Sequence, residues 1–338
     1  MLKLLKELCD ANGVSGFEKE VGLVIADKIK DFCEKLYFDK TGNLIAFKKG
    51  KKTSKNKIMY AAHLDEVGMT VKYINDDGTL LFEQAGMMPE VFPSKRVYIG
   101  QNRIPGVICS KPVHLMKDEK SGVNVDSMYI DIGVNTKPEA EELGVFAQSI
   151  AFENNFCVFG DGNFVCSKAL DDRFGCLVMM NMIMSELEHD SYFVFTVGEE
   201  IGGVGVVNAT RFLQPDIAVV FETTTAADLP SNKGADKVCV PGNGAVVPFM
   251  DRGTMYDKQL YKNICSIAKE NAVKVQTKTK IAGGTDAASI QQSAGGVRVG
   301  AVSLACRYIH TPSCVASVSD MNDCITLAKL IDKNLDLL

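Results

Sequence analysis

The chain has 338 residues, of which 46% are hydrophobic and 23% charged, with a formal net charge of −5; this composition is that of a soluble globular protein long enough for two domains, or for one large domain with an insertion. No long basic run is present, which argues against nucleic acid or an anionic membrane as partner, and no apolar run approaches the ~20 residues of a membrane span. The N-terminus, Met1-Leu-Lys-Leu-Leu-Lys, lacks the apolar core of a signal peptide, and the 11 cysteines form no CxxC pair and are odd in number, which points to a reducing cytoplasm.

Taken in order, Leu2, Leu5 and Leu8 recur at helical spacing, and Asn12-Gly13 reads as a helix stop. Ser15-Gly-Phe-Glu18 has the capping-box form. It predicts that Glu18 reaches back to Ser15 at the start of a second helix burying Val21, Val24, Ile25, Ile29 and Phe32. Residues 43–47 and 58–62 read as strands joined by a lysine-rich solvated loop. From 68 to 160 the pattern changes to short strand-like runs (69–74, 96–99, 105–109) with frequent turn signals and little helical periodicity before Lys137. Residues 111–124, charged and glycine-containing, read as an exposed loop. The stretch is expected to be a β-rich insertion at 68–160 in an α/β domain built from 1–67 and 161–338. Beyond Ser167, helices expected at 177–187, 256–271 and 319–335 alternate with strands at 192–197, 216–221 and 297–306. This alternation predicts a mostly parallel sheet flanked by helices.

Several polar residues stand at or just beyond these strand ends. His63 and Asp65, two apart after strand 58–62, face one side in extended chain; Asp65 suits an acid that orients a metal-binding imidazole, although a structural histidine beside acids has the same pattern. Asp171-Asp172-Arg173 opens an apolar helix, where an acid serves either as a cap or as a ligand at a strand-to-helix turn. Glu199 and Glu200 follow Gly198 at the end of strand 192–197. Strand alternation would place them in different environments, one on a metal and one free to handle protons; a solvated acidic turn is the alternative. Glu222 follows strand 216–221, and His310 follows strand 297–306. Together these residues put mixed histidine and carboxylate ligands along the rim of a parallel sheet. Such a set suits zinc or cobalt and, with one acid bridging, a two-metal hydrolytic site.

Five segments occur in order: Ala62-His63-Leu-Asp65-Glu66-Val-Gly68, Ala169-Leu-Asp171-Asp172-Arg173, Gly198-Glu199-Glu200-Ile-Gly202, Ala282-Gly-Gly-Thr-Asp286-Ala and Arg307-Tyr-Ile-His310-Thr-Pro312. With them the whole chain resembles the tetrahedral-type di-metal aminopeptidases, the family of glutamyl and deblocking aminopeptidases, some of whose members have been labelled endoglucanases. The resemblance implies a metallo-exopeptidase acting on peptides with a free N-terminus, with two divalent metal ions per subunit, zinc or cobalt. It implies that His63, Asp171 and Glu222 hold one ion and Asp171, Glu200 and His310 the other, with Glu199 as general base and Asp65 orienting His63. Many relatives carry aspartate where this chain has Glu222, a departure that bears on metal geometry. The resemblance also implies self-association through 68–160, into a homododecamer or a smaller oligomer.

Selectivity for an acidic N-terminal residue would need a cation near the site, for which Arg252, Arg298 and Arg307 are available. Met87, Met88 and Phe92 offer an apolar pocket or packing for the insertion's core, and the 283–286 loop lies either at the site or simply opens a helix. Two rival readings remain. A metal-independent glycoside hydrolase needs two opposed carboxylates and fits poorly with a chain that has no tryptophan. A non-catalytic scaffold of the same fold would have lost a ligand or Glu199, and all are present.

Overall fold

Apolar runs rich in β-branched and aromatic residues build the centre of the fold. Strands Ser191–Thr196, Ile58–His63, Ile217–Thr225 and Arg298–Arg307 lie side by side in that order and pair in parallel. Antiparallel strands extend the sheet at both sides. Leu44–Lys48 and Lys35–Phe38 lie beyond the first of these strands, and Cys314–Ser317, Phe164–Ser167 and Cys157–Phe159 beyond the last. The structure, a computed structural model, describes residues 1–109, 114, 124–293 and 295–337. The loop expected over 111–124 lies outside them except for His114 and Asn124.

Side chains alternate along each central strand, so both faces of the sheet are buried. Ile58, Tyr60 and Ala62 join Phe193, Val219 and Phe221 in one core, which also takes in residues of helices Leu2–Asp10, Lys19–Ile29, Leu170–Ile183, Lys258–Glu270 and Val318–Lys333. Tyr60 stacks between Phe193 and Phe221, with ring centroids 5.1 and 5.8 Å away. Met59, Ala61, Val194 and Val220 point the other way, against helices Val204–Leu213 and Ala287–Gln291. The architecture is the expected sheet flanked by helices, parallel through its centre. Six strands between Gly68 and Phe152 form a closed antiparallel barrel with a core of its own, including Phe92, Ile99 and Ile150. Cys157–Phe159 is already back in the large sheet.

Local details differ from the sequence reading. The Ser15–Glu18 capping box does not form. Ser15 Oγ instead donates to Asp65 Oδ2 at 2.7 Å, and Glu18 Oε1 accepts from Gly16 N at 2.8 Å and Gly198 N at 3.2 Å. The helix starts only at Lys19, with Glu18 itself at the N-cap position, so Ser15 lies too far ahead of it to close the box and both side chains bond elsewhere. The second helix ends at Ile29, and Phe32 is 44% exposed. The edge strand Lys35–Phe38, short and largely exposed, leaves no alternation to detect. Strand Ile217–Thr225 runs past Phe221 because Thr223 to Thr225 pair in register with Leu304 to Cys306.

The main core gives a stability test. Phe193→Ala should lower the free energy of unfolding in urea by about 3–5 kcal/mol through the cavity it leaves. Phe212→Ala, at a side chain 73% exposed, should change it by less than ~0.5 kcal/mol.

Candidate metal centre

Parallel strands run in one direction, so their carboxyl ends meet at one rim. His63 ends its strand opposite Thr196, and continuing the Val220–Ala61 register by two residues sets Glu222 level with His63. Glu222 therefore lies inside strand Ile217–Thr225 rather than just beyond it. Asp171 and Asp172 break helical geometry at the start of Leu170–Ile183. Asp172 Oδ1 accepts from Gly175 N at 2.8 Å, so this acid serves as the cap and Asp171 is left for the rim. His310 follows Arg298–Arg307, and its Nδ1 lies 2.7 Å from the Gly86 carbonyl of the barrel.

The structure brings all seven residues singled out from the sequence into one place. Two groups, His63–Asp171–Glu222 and Asp171–Glu200–His310, each set their ligand atoms within 4.8 Å of one another. Asp171 belongs to both. Its Oδ1 is 3.3 Å from His63 Nε2, and its Oδ2 is 3.5 Å from His310 Nε2. His63 Nε2 also lies 3.3 Å from Glu222 Oε1, and His310 Nε2 lies 3.4 Å from Glu200 Oε2.

Asp65 connects these parts. Its Oδ1 lies 3.3 Å from His63 Nδ1 and accepts from Glu199 N at 3.1 Å, while its Oδ2 accepts from Glu200 N at 3.1 Å. The expected separation of the two glutamates is not found. Their strand ends at Thr196 and they sit in a turn with Gly198 at φ 67°, where strand alternation no longer applies. One atom of each falls in a third group with His63.

Crowding the carboxylates has a clear electrostatic effect. Burial, with the charge of Glu222 added, pushes the Glu199 carboxyl up to about 10. Burial and the Asp171 charge push Glu200 up to about 7. Burial and the charge of Asp172 raise Glu222 well above the ordinary range. Hydrogen bonding to Asp171 lifts His310 to about 9. At Asp171 burial opposes the charge, but hydrogen bonds from His310 and His63 outweigh it and hold the carboxyl below its usual range. Glu200 Oε1 is buried without a hydrogen-bond partner. Two imidazoles facing four carboxylates, one oxygen of them unpartnered, make a donor set that fits divalent cations.

The site opens into a cavity of about 700 Å³, walled by Gln84, Gly86 and Met87 of the barrel and by Thr223, Lys278 and the 283–285 loop of the main domain. Of the three candidate arginines, Arg252 lines this cavity, whereas Arg298 and Arg307 bind Asp257 and Asp228. Phe92 packs in the barrel core. The sequence reading misses Lys278, a buried cavity residue whose Nζ donates to Ala282 O at 3.1 Å; a single lysine in a polar stretch carries no motif. Asp286 does not cap its helix but accepts from Thr196 Oγ1 at 2.6 Å.

A family model described as M42 glutamyl aminopeptidase matches residues 42–327. The chain belongs to this family. A shorter match, AMPT, covers residues 1–22. A putative aminopeptidase of Acetivibrio thermocellus is 36% identical over 332 residues, covering 97% of each chain. The lysyl aminopeptidase of Pyrococcus furiosus is 31% identical, with 97% of this chain and 96% of that one covered. Among solved structures, aminopeptidase APDkam598 of Desulfurococcus kamchatkensis has a TM-score of 0.92 at 30% identity, covering 98% of this chain and 94% of that one. PhTET1-12s, solved as a dodecamer, and the Pyrococcus horikoshii TET1 peptidase, described as assembling into a tetrahedron or a large octahedral shell, both have TM-scores of 0.87 at 28% identity with 98% of each chain covered. A Thermotoga maritima structure described as an endoglucanase has a TM-score of 0.82 at 31% identity, covering 98% of this chain and 97% of that one. As a member of the metal-dependent M42 family, the chain is an aminopeptidase, and the Asp171-centred cluster is its candidate metal-binding site.

Two outcomes follow from this geometry. Asp65→Asn puts an amide N–H₂ against a backbone N–H of Glu199 or Glu200, and should weaken zinc or cobalt binding about 10–100-fold by calorimetry. An incoming cation also displaces the protons held by Glu200, at about 7, and His310, at about 9. Apparent affinity should therefore rise with pH across that window, and binding heats should vary with buffer ionisation enthalpy as protons are released.

Proposed function

We propose that this M42 chain removes N-terminal residues from peptides by hydrolysis at the rim, with Glu199 as the general base. The observation that supports the reading is the Asp171 carboxylate, whose two oxygens face the two imidazoles separately. In this reading His63, Asp171 and Glu222 hold one divalent ion and Asp171, Glu200 and His310 the other, with zinc or cobalt suited to the donor set. Divalent ions held there would supply Lewis acidity to the attacking water and to the scissile carbonyl.

Glu199 is the carboxylate left over when both ligand groups are filled. It takes a proton from the attacking water and delivers it to the leaving amine, as base and then acid. Its backbone N–H, tied to Asp65, keeps it aligned with His63. A free α-amino group carries the charge that this carboxylate-rich rim attracts, which fits an exopeptidase. The glycoside-hydrolase reading leaves His63 and His310 without a role. The scaffold reading leaves the full ligand set unexplained.

Self-association through 68–160, toward a dodecamer, is part of the proposal. It is supported by the oligomeric TET relatives and by exposed Tyr73, Met88 and Phe146 on that segment. A reducing cytoplasm is supported by 11 unpaired thiols. No helix among the described residues is long and apolar enough to cross a membrane.

Hydrolysis of an aminoacyl-anilide panel, before and after chelation and with zinc or cobalt restored, tests the reading. Metal-dependent release is expected. Glu199→Gln should keep the metal content of the parent and lose about 10²–10⁴-fold in kcat; undiminished turnover would refute the assignment.

A further inference from the structure

Away from the metal centre, the edge of the large sheet carries a pair of facing thiols. Strand Cys157–Phe159 pairs antiparallel with Phe164–Ser167, and the register sets Cys157 directly opposite Cys166. Two residues along on the same face, Phe159 meets Phe164, their rings stacked with centroids 5.9 Å apart. Side chains on this face therefore turn toward one another across the pair. Opposed residues of an antiparallel ladder have Cα atoms about 4.5–5.5 Å apart, inside the ~4.4–6.8 Å that a disulfide spans. Burial, with the neighbouring Cys157 added, pushes the Cys166 thiol up to about 11, so the two sulfurs sense each other. Among the described residues Cys157 is the one exposed cysteine, and Cys166 is half-buried. Cys306 and Cys314 also adjoin, but at 0% and 2% exposure no reagent reaches them in the folded chain.

We infer that Cys157 and Cys166 form a dithiol modification site that accepts low-molecular-weight disulfides and closes to a cross-strand disulfide. The exposed Cys157 thiolate attacks one sulfur of a disulfide RSSR; a Cys157–SR bond forms, the S–S bond breaks, and RS⁻ leaves to take a proton from solvent. Cys166 gives its proton to solvent and attacks Cys157 Sγ, forming the Cys157–Cys166 bond and expelling the second RS⁻. The protein dithiol is oxidised by two electrons, and RSSR is reduced to two RSH. Cys157 reacts first because it is exposed, and Cys166 resolves the adduct because it stands opposite. The site owes nothing to the metal reading, although its inner strand leads on to Asp171.

The test incubates the full-length reduced protein with oxidised glutathione, then maps peptides by mass spectrometry without reduction. The expected result is a linked Cys157–Cys166 peptide pair, with two fewer thiols titrating in the native protein and both restored by dithiothreitol. Cys166→Ser should stop at a glutathione adduct on Cys157, and Cys157→Ser should give neither product. Wild-type protein that accumulates the Cys157 adduct without closing, or that links other cysteines while these two stay reduced, would overturn the inference. The wild-type peptide map decides the matter even if a variant fails to fold.

Discussion

A fully buried carboxylate persists only when donors surround it, because losing water costs several kcal/mol. Asp65 meets that condition with donors from three separate parts of the chain: Ser15, the ring of His63, and the successive N–H groups of Glu199 and Glu200. Burial opposes its charge, yet the bonds to His63, Ser15 and Glu199 outweigh this and hold its carboxyl below the ordinary range. The same bonds that keep Asp65 ionised fix where the glutamates and the imidazole stand. Site geometry and charge state are thus one constraint.

The carbonyl side of the same segment is held by a second buried group. Arg173 is wholly buried and donates to the carbonyls of Leu8, Leu64 and Asp65, and to Glu66 Oε1 at 3.1 Å. Lys168 adds its Nζ to Glu66 Oε2 at 2.6 Å. A planar guanidinium suits this work because its several N–H groups reach several acceptors at once. Its position two residues after Asp171 means that one helix start delivers both the bridging acid and the anchor of the opposing loop. The barrel contributes as well. Its Gly86 carbonyl faces His310 Nδ1 and leaves Nε2 for Asp171 and Glu200.

Patterns that repeat along the chain were legible in the sequence. The central strands and the long helices follow from burial periodicity, and the site carboxylates and histidines from their places near strand ends. What was not legible depends on partners far away in sequence. Ser15 and Glu18 read locally as a cap, but Asp65 and Gly198 are the partners that decide their bonding. Glu199 and Glu200 read as strand-end neighbours facing apart, whereas Asp65 draws their backbone into a shared turn. Glu222 reads as following a strand because the threonines after it look polar; the register with Leu304 to Cys306 keeps them in the sheet. Lys278 has no local signature, since only the cavity around it gives it significance.

The spacing of a β-sheet explains why such a site sits here. Neighbouring strands lie about 4.8 Å apart, so residues level with one another on adjacent strands approach within the reach of one side chain. His63 and Glu222 use that spacing directly, and their facing atoms lie 3.3 Å apart. The Glu199–Glu200 turn leaves the strand on the other side of His63, which places carboxylates on both flanks of one imidazole. Asp171 and His310 arrive differently, because Asp171 opens a helix that packs across strands Ile58–His63 and Ile217–Thr225, and His310 lies past the end of Arg298–Arg307. Both therefore depend on turns. Asp171 is set by the non-helical residues opening its helix, and His310 adopts φ 61° after its strand. The rigid sheet fixes one half of the cluster, and the turns bring the other half to it. Asp171, facing an imidazole from each half, is where the two meet.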